Sequence, residues 1–342
     1  MFAAVRAIEY HLPETTLSNE ELAESFPDWT PEKIAAKTGI VQRRIAAPQE
    51  CASDLAVAAA RKLFASGACR PEEIDFLLLC TQSPDYFLPT TACILQDRLG
   101  LPTRAGALDF NLGCSGFVYG LGLAKGLVET GQAANVLLLT ADTYSKFLHP
   151  NDRSVRPLFG DAAAATLVQR RPDAPASDLP WIGPFVFGTD GRGMENLIVH
   201  AGGMRQPAQG RTSSGPDAIA ALPSPDHLSM NGPEIFTFAL RAVPQAVKEL
   251  LERAERTIDD IDLFVFHQAN RYMLEHLREK LKIPAEKFVV AMSHVGNTVS
   301  STIPIALKEA VGRSLLPPGK LVMLVGFGVG YSWSATLIRS SL

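Results

Sequence analysis

The sequence of 342 residues lacks several features that would indicate particular classes of protein. No apolar run approaches the roughly 18 residues of a membrane-spanning helix. Tyr10, His11 and Pro13 interrupt the N-terminus too early for the core of a signal peptide. The five cysteines are an odd number, lie in the first third of the chain and include no C-x-x-C pair. We therefore expect no disulfide framework, no cysteine-bound zinc and a reducing, cytoplasmic location.

Motifs for metal and nucleotide chemistry are missing as well. The chain has no H-E-x-x-H and no clustered carboxylate motif, and Gly120 and Gly122 do not begin a dinucleotide-binding G-x-G-x-x-G. The formal net charge of −4 gives no general electrostatic reason to bind nucleic acid or an anionic membrane. We expect no metal, no redox cofactor, no nucleic-acid partner and no membrane partner.

Short apolar runs without alternating polarity are typical of strands that are buried on both faces. Helical patterns lie between these runs, which favours parallel sheets joined by crossover helices. The predicted strands are residues 76–80, 105–110, 136–140, 263–266, 288–291 and 321–325, and the predicted helices are residues 92–99, 116–129, 271–281 and 303–311. Residues 200–226 are rich in Gly, Pro, Ser and Gln, and predict a long loop that is either a lid or simply mobile.

The chain also contains an internal repeat. Residues 72–80 resemble residues 259–267, and a second strand–helix junction follows 34 residues after Cys80, at Cys114, and 30 residues after His267, at Asn297. Two copies of one α/β unit, residues 1–172 and 173–342, are therefore predicted. Because ligand sites in such sheets lie at the carboxyl ends of strands, we expect Cys114, His267 and Asn297 to converge.

Each of these three residues has a functional and a structural interpretation. Cys114 opens a glycine-rich helix whose dipole and unpaired amides favour a thiolate, but a free cysteine is commonly just a small buried residue. His267 can hydrogen-bond an acyl oxygen or exchange a proton, or it can be a capping or core histidine. Asn297 can stabilise an oxyanion, cap a helix, or do both. The glycine-rich turn at residues 326–330 exposes backbone amides of the kind that an oxyanion hole needs.

Five segments carry a family resemblance: GCSGFVYGLGLAKGLVETG, FGDAAAATLV, FHQAN, HVGNTVSSTIPIAL and GFGVGYSWSATLIR. In order and spacing they resemble the type III β-ketoacyl carrier-protein synthases, which have the thiolase fold. The resemblance implies an α/β protein whose two duplicated halves form a layered α-β-α-β-α core. The first half would carry the nucleophile Cys114, and the second half His267 and Asn297.

The resemblance also implies a reaction. Cys114 would take an acyl group from an acyl-CoA, and a malonyl carrier protein (or malonyl-CoA) would lose CO₂ to give the enolate that attacks it. His267 and Asn297 would donate hydrogen bonds to the thioester oxygen, and the backbone amides of Cys114 and Val329 would hold the tetrahedral oxyanion. One alternative is an acyltransferase that passes the acyl group from Cys114 to a hydroxyl or amine. Another is a non-catalytic partner of a second synthase.

Two further residues are expected to bind coenzyme A. Lys33 stands five residues before the Thr-Gly-Ile motif, where the family often has a Trp that stacks on the adenine. Trp29 lies one helical turn away and substitutes for it only if the local geometry shifts. Arg153 is retained to pair with the CoA end.

The remaining expected contacts concern the carrier protein and the primer. Arg271 is followed by Tyr272, where the family usually has an apolar residue and then an Arg that meets the acidic carrier protein. Leu88 replaces a Phe that favours short primers, so a longer or branched acyl group is expected. The family is homodimeric, with the Leu88 loop reaching the partner's acyl pocket. Lys33 and Tyr272 favour a specialised lipid, polyketide or polysaccharide pathway over fatty-acid initiation.

Overall fold

Two sheets and the helices around them form the framework of the chain. The computed structural model describes residues 1–26, 28–175, 178–208 and 224–342. The first elements are β1 (Phe2–His11), β2 (Thr16–Ser18), α1 (Asn19–Ser25), α2 (Pro31–Thr38), β3 (Gln42–Arg44), α3 (Ala52–Ala65), β4 (Phe76–Cys80), α4 (Thr91–Arg98), β5 (Gly106–Phe110), α5 (Gly116–Glu129), β6 (Asn135–Asp142) and β7 (Ala162–Arg171). The later elements are β8 (Ile182–Thr189), β9 (Leu197–Val199), β10 (Leu228–Met230), α6 (Gly232–Ala254), β11 (Leu263–Phe266), α7 (Arg271–Lys280), α8 (Thr302–Gly312), β12 (Leu321–Gly328) and β13 (Ser332–Arg339).

The two sheets share one pairing pattern. The first has the order β1-β7-β6-β4-β5, and the second has the order β8-β13-β12-β11. In the first sheet β4 is parallel to β6, and β7 is antiparallel to both β6 and β1; β11, β12, β13 and β8 repeat this arrangement. The sheets are therefore mixed, and the expectation of parallel sheets is wrong for β7 and β13, which are antiparallel to both of their neighbours. Only residues 329–331 separate β12 from β13, which is too short for a crossover helix.

The strand predicted at residues 288–291 is also wrong. Only Phe288 pairs, in an isolated parallel bridge to Phe264 that occupies the place of β5 in the first sheet. The side chain of Gln268 satisfies the backbone around it, because its Oε1 accepts from the Ala291 amide at 2.8 Å and its Nε2 donates to the Val289 carbonyl at 3.3 Å. Hydrogen bonds from this side chain thus replace backbone hydrogen bonds that a neighbouring strand would make.

Most of the other predicted elements are present. The predicted strands at 76–80 and 263–266 match β4 and β11, and all four predicted helices lie within one residue of α4, α5, α7 and α8. The first sheet ends at Arg171 and the second begins at Ile182, while the division of the chain at 172/173 stays a prediction. Among the described helices, none has the length and apolarity to cross a membrane.

The helices divide the molecule into layers. α3 and α4 cover the outer face of the first sheet, α5 and α8 lie between the sheets, and α6 and α7 cover the second sheet. Three apolar cores follow this order, and the middle one contains side chains from both sheets, such as Leu138 of β6 and Leu324 of β12. The predicted α-β-α-β-α arrangement of two duplicated halves is confirmed.

Glycines of α5 allow this central helix to lie close to the first sheet. A Cβ on Gly116 would overlap Cys80 Sγ, and a Cβ on Gly120 would lie 2.6 Å from Leu138 Cδ1. Gly126 on the same helix has no other atom within 4 Å of such a Cβ. Close packing therefore explains why glycine stands at residues 116 and 120. Contacts within this chain do not explain the glycine at residue 126.

We expect Gly120→Ala to lower the free energy of unfolding by about 1–3 kcal/mol, because the added methyl group overpacks the central core. Gly312→Ala is the matched control, since nothing lies within 4 Å of a Cβ at this helical position. It should leave stability unchanged or raise it by up to about 1 kcal/mol. Urea unfolding measures both, and equal effects of the two substitutions would contradict the packing argument.

Candidate active site

The candidate site forms where the start of α5 meets the end of β12. Cys114 lies two residues before α5 and is 5% exposed. A Cβ on Gly328 would lie 3.0 Å from Cys114 Sγ, and a Cβ on Gly326 would lie 2.7 Å from the Ser115 Cα. Glycine is thus required on β12 at both contacts, and Cys114 of the first half lies against the backbone of the second.

The surroundings of Cys114 act on its thiol in opposite directions. Burial and, to a smaller extent, the nearby Asp142 carboxyl together raise the pKa of Cys114 to about 12. The backbone amides of Cys114 and Val329 hydrogen-bond the sulfur and favour the thiolate. The position at a helix start predicts a thiolate, but burial opposes it. Burial has the larger effect on the pKa of Cys114 in the protein without substrate.

His267 follows β11 and is 2% exposed. Its backbone amide donates to the Val325 carbonyl of β12 at 2.8 Å, and its ring meets the Phe327 ring edge-on, with centroids 5.5 Å apart. Burial lowers the pKa of His267 to about 3. The imidazole is therefore neutral near pH 7.

The contact with Thr302 decides which ring nitrogen of His267 carries the proton. His267 Nδ1 lies 2.8 Å from Thr302 Oγ1, which also lies 3.0 Å from the Val299 carbonyl oxygen. The Thr302 hydroxyl has one proton to donate. If that proton goes to Val299, Nδ1 carries the ring proton and Nε2 is an acceptor; if it goes to Nδ1, Nε2–H is a donor.

Asn297 is fixed through its backbone and its side chain. Its amide donates to the Leu158 carbonyl at 2.8 Å, and its carbonyl accepts from the Gly160 amide at 3.0 Å. Its Oδ1 accepts from the Val299 amide at 3.0 Å. This contact resembles a cap, although Ser301 is the N-cap residue of α8. It directs the Nδ2 group away from the turn, where it can donate to another acceptor.

A cavity of about 610 Å³ opens beside Cys114. Tyr144, Leu197 and Leu228 line it, and they belong to the same apolar cluster as Cys114. Residues 201–203 of the predicted 200–226 loop also line the cavity. Residues 209–223 of that loop lie outside the described residues, so a lid stays a prediction.

The two residues expected to bind CoA lie near each other on the surface. The exposed Lys33 donates from Nζ to the Asp28 carbonyl at 3.0 Å. Arg153 Nη1 lies 3.4 Å from the carboxylate of the same Asp28. Trp29 lies beside them, and Lys37 Nζ is 4.8 Å from its ring centroid. Both cations therefore contact Asp28, and Trp29 is the next residue along the chain.

Arg271 and Leu88 lie on other parts of the surface. Arg271 opens α7 and contacts the end of α2, where a Cβ on Gly39 would lie 2.9 Å from its Nε. The next residue, Tyr272, stacks on Phe236 at 5.5 Å. Leu88 is 86% exposed, and nothing in the single chain buries it.

Sequence reasoning did not identify Asp142 or Thr302. Asp142 ends the apolar run VLLLTAD, and a polar residue at the carboxyl end of a buried strand is the signal that points to it. Thr302 has no comparable signal, because its contact with His267 joins residues 35 positions apart. No three His, Cys, Asp or Glu side chains within the described ranges form a group that could hold a metal ion.

This arrangement defines a thiolase-fold protein in which a buried cysteine, a buried histidine and a buried asparagine stand close to the ends of strands or the starts of helices in the two halves. Family models described as "3-Oxoacyl-[acyl-carrier-protein (ACP)] synthase III" and its "C terminal" match residues 108–191 and 251–340. The β-ketoacyl-[acyl-carrier-protein] synthase III of Caldanaerobacter subterraneus subsp. tengcongensis is 38% identical over 97% of this chain and 96% of its own.

Solved structures give the same result. A crystal structure of a 3-oxoacyl-(acyl-carrier-protein) synthase III is 57% identical, with a TM-score of 0.94 over 99% of this chain and 100% of that one. The priming β-ketosynthase of the R1128 polyketide biosynthetic pathway is 31% identical, with a TM-score of 0.84 over 100% of this chain and 97% of its own. The chain belongs to the β-ketoacyl-[acyl-carrier-protein] synthase III family, and it is a transferase that catalyses decarboxylative condensation.

The low pKa of His267 predicts a pH dependence of stability. Below pH 6.5 the unfolded chain binds a proton at this residue that the folded chain excludes, so the contribution of His267 to stability falls as the pH falls. Between pH 7.5 and pH 5.5 the free energy of unfolding should fall by about 1.4 kcal/mol more in the unmodified protein than in His267→Gln. Urea titrations at both pH values measure the difference.

The exposed His294 provides the control for this experiment. His294→Gln should keep the pH dependence of the unmodified protein. If His267→Gln also kept it, the folded chain would bind a proton at His267 as readily as the unfolded chain, and the imidazole would not be held neutral.

Proposed function

We propose that Cys114 is the nucleophile of the condensation and carries the acyl group as a thioester. The observation that carries this proposal is the position of its sulfur, which accepts hydrogen bonds from the backbone amides of Cys114 and Val329. During acyl transfer the sulfur loses its proton and attacks the acyl-CoA carbonyl, and the CoA sulfur leaves with the bonding pair and takes up a proton to give free CoA thiol. The two amides then stabilise the tetrahedral oxyanion, with each donor contributing about 3–4 kcal/mol.

In the second step, His267 and Asn297 hold the malonyl thioester of the carrier protein. The bond to the malonyl carboxylate breaks, CO₂ leaves, and its electron pair forms an enolate whose oxygen accepts hydrogen bonds from His267 Nε2 and Asn297 Nδ2. Donation from Nε2 requires the Thr302 hydroxyl to donate to Nδ1. The enolate carbon attacks the Cys114 thioester, and the cysteine sulfur leaves with the bonding pair. These steps use no metal or redox cofactor.

Coenzyme A enters past Arg153, Lys33 and Trp29 in this proposal. The three side chains surround Asp28, and both cations are exposed. Their positive charge suits the phosphates of CoA, and the Trp29 ring suits its adenine.

The acyl carrier protein docks beside α7. Residues 271–287 contain five Lys or Arg and three Asp or Glu, and Arg271 contacts α2 rather than standing free. A groove next to Tyr272 is lined by Arg241, Lys248 and Lys280. These cations take the place of the arginine that Tyr272 replaces and attract an acidic partner.

A homodimer accounts for the exposed apolar surface next to β5. In the described part of the chain no strand pairs with the outer side of β5. Leu108 of β5 is 39% exposed, and Leu123 and Phe187, which are 46% and 47% exposed, line an apolar groove of about 740 Å³ next to the strand. A second copy would cover this surface and the edge of the strand. The exposed Leu88 would then reach the acyl pocket of the partner subunit.

The primer is a longer or branched acyl group, because Leu88 has less bulk than Phe. The pathway is either fatty-acid initiation or a specialised lipid or polyketide pathway, and Lys33 and Tyr272 favour the second. Acyl transfer from Cys114 to a hydroxyl or amine is the disfavoured alternative. The five cysteines are free thiols, which supports a cytoplasmic location.

Intact mass spectrometry separates the roles of the three residues. The protein is exposed to a panel of acyl-CoAs and then to malonyl carrier protein. Cys114→Ala should take up no acyl group, because it lacks the nucleophile. His267→Ala and Asn297→Ala should still become acylated, but their release of CO₂ should fall about 100-fold or more. The acyl mass that forms on the unmodified protein identifies the primer.

Cys93→Ala is the control, because Cys93 is exposed and does not line the cavity. It should condense like the unmodified protein. If Cys114→Ala became acylated, the proposal that Cys114 is the nucleophile would be wrong. Loss of acylation in His267→Ala with unchanged decarboxylation would reverse the two roles. An acyl group that is cleared only by an alcohol or amine, without CO₂, would indicate the acyltransferase.

The dimer proposal predicts that Leu123→Glu lowers the molecular mass measured by sedimentation velocity from two chains to one, because it buries a charge in the interface. Leu315→Glu is the control, at a leucine that is 37% exposed on another surface. It should remain a dimer. A single-chain mass for the unmodified protein at micromolar concentration would contradict the proposal.

A further inference from the structure

Asp142 connects the two halves of the molecule at the site. It is the last residue of β6 and is completely buried. Its carboxylate accepts from the Gln82 amide at 2.8 Å, from the Ser300 hydroxyl at 2.5 Å and from the Ser300 amide at 3.4 Å. Gln82 follows β4 closely, whereas Ser300 lies three residues after Asn297. Asp142 thus holds the segment that carries Asn297.

That segment, residues 297–302, is a strained turn. Val299 has a φ of 54°, in the left-handed region that β-branched residues rarely adopt, so the surrounding contacts must hold it there. The Val299 amide donates to Asn297 Oδ1, and Thr302 at the end of the turn contacts His267 Nδ1. The conformation of the turn therefore sets the direction of the Asn297 amide and of the His267 ring.

We propose that Asp142 is a positioning residue for decarboxylation: by holding Ser300, it keeps the turn in the conformation that orients Asn297 and His267. This inference rests on the roles proposed above for those two residues. Without the contact to Ser300 the turn can relax at Val299, and the Asn297 amide loses its fixed direction. A donor that is not held in place stabilises the developing enolate less.

The same carboxyl has the opposite effect on the first half-reaction. The titratable groups that interact electrostatically with Asp142 are Cys80, Cys114, Tyr144 and Asp161. Its negative charge adds to burial in raising the pKa of Cys114. A neutral residue of the same shape should therefore lower the pKa of the thiol while it slows decarboxylation. A merely structural role would not change the two properties in opposite directions.

The test measures the two properties separately in the full-length protein. Asp142→Asn keeps the shape of the side chain but replaces one of its two acceptor oxygens with an amide NH2 group, so it cannot accept from both the Gln82 amide and the Ser300 hydroxyl. In a Cys114→Ala background, we expect its release of CO₂ from malonyl carrier protein to fall about 10- to 100-fold. With Cys114 present, we expect the rate of alkylation by iodoacetamide at pH 8 to rise about 10-fold, because a larger fraction of the thiol is ionised.

Two variants on the turn separate the contact from the charge. Ser300→Ala removes the contact and keeps the Asp142 carboxyl, so decarboxylation should fall while the rate of alkylation at pH 8 does not rise. The Ser301 hydroxyl contacts Thr140 instead. Ser301→Ala should therefore decarboxylate close to the rate of the Cys114→Ala parent. Ser300→Ala provides the test by itself if Asp142→Asn does not fold.

The proposal is overturned if Asp142→Asn or Ser300→Ala decarboxylates at the parent rate. It is also overturned if Ser301→Ala is slowed as much as Ser300→Ala, because any contact of the turn would then be equivalent. Failure of the proposed function gives a different result. In that case Cys114→Ala does not itself release CO₂, or adding His267→Ala or Asn297→Ala to it has no effect.

Discussion

The site depends on a direct contact between the backbone of β12 and the start of α5. Gly326 and Gly328 present no side chain to Ser115 and Cys114, so the proposed nucleophile of one half lies beside the Val329 amide of the other. A larger residue at either glycine would separate the halves by a side chain. The two amides would then no longer point at the same sulfur. Duplication supplies two similar halves, but this close contact makes their junction a site.

Much of the fold could be predicted from the sequence, because its central strands are continuous apolar runs. The antiparallel strands could not, and β7 shows why: four consecutive alanines, at residues 162–165, are as compatible with a helix as with a strand. The segment at 288–291 has the composition of a strand, but Gln268 satisfies its backbone with a side chain. No local pattern reports a contact of that kind.

The three candidate catalytic residues could be selected from the sequence because each stands at a predicted strand–helix junction of the repeat. Their ionisation could not be predicted, because it depends on burial. Position alone favours a thiolate at Cys114, yet the folded chain raises its pKa to about 12 and lowers that of His267 to about 3. Both residues are thus uncharged before substrate binds, in a region where a charge is costly. Asp142 and Thr302 act through contacts between distant parts of the chain and give weak signals or none.

The shared middle core has a consequence for synthesis on the ribosome. The first sheet is complete at Arg171, and its outer face can be covered at once by α3 and α4. Its inner face, with Leu138 and the apolar side of α5, packs against β11 and β12, which are made about a hundred residues later. A nascent chain must therefore carry an uncovered apolar face through half of its translation. A stable core and a complete site then form in the same late event.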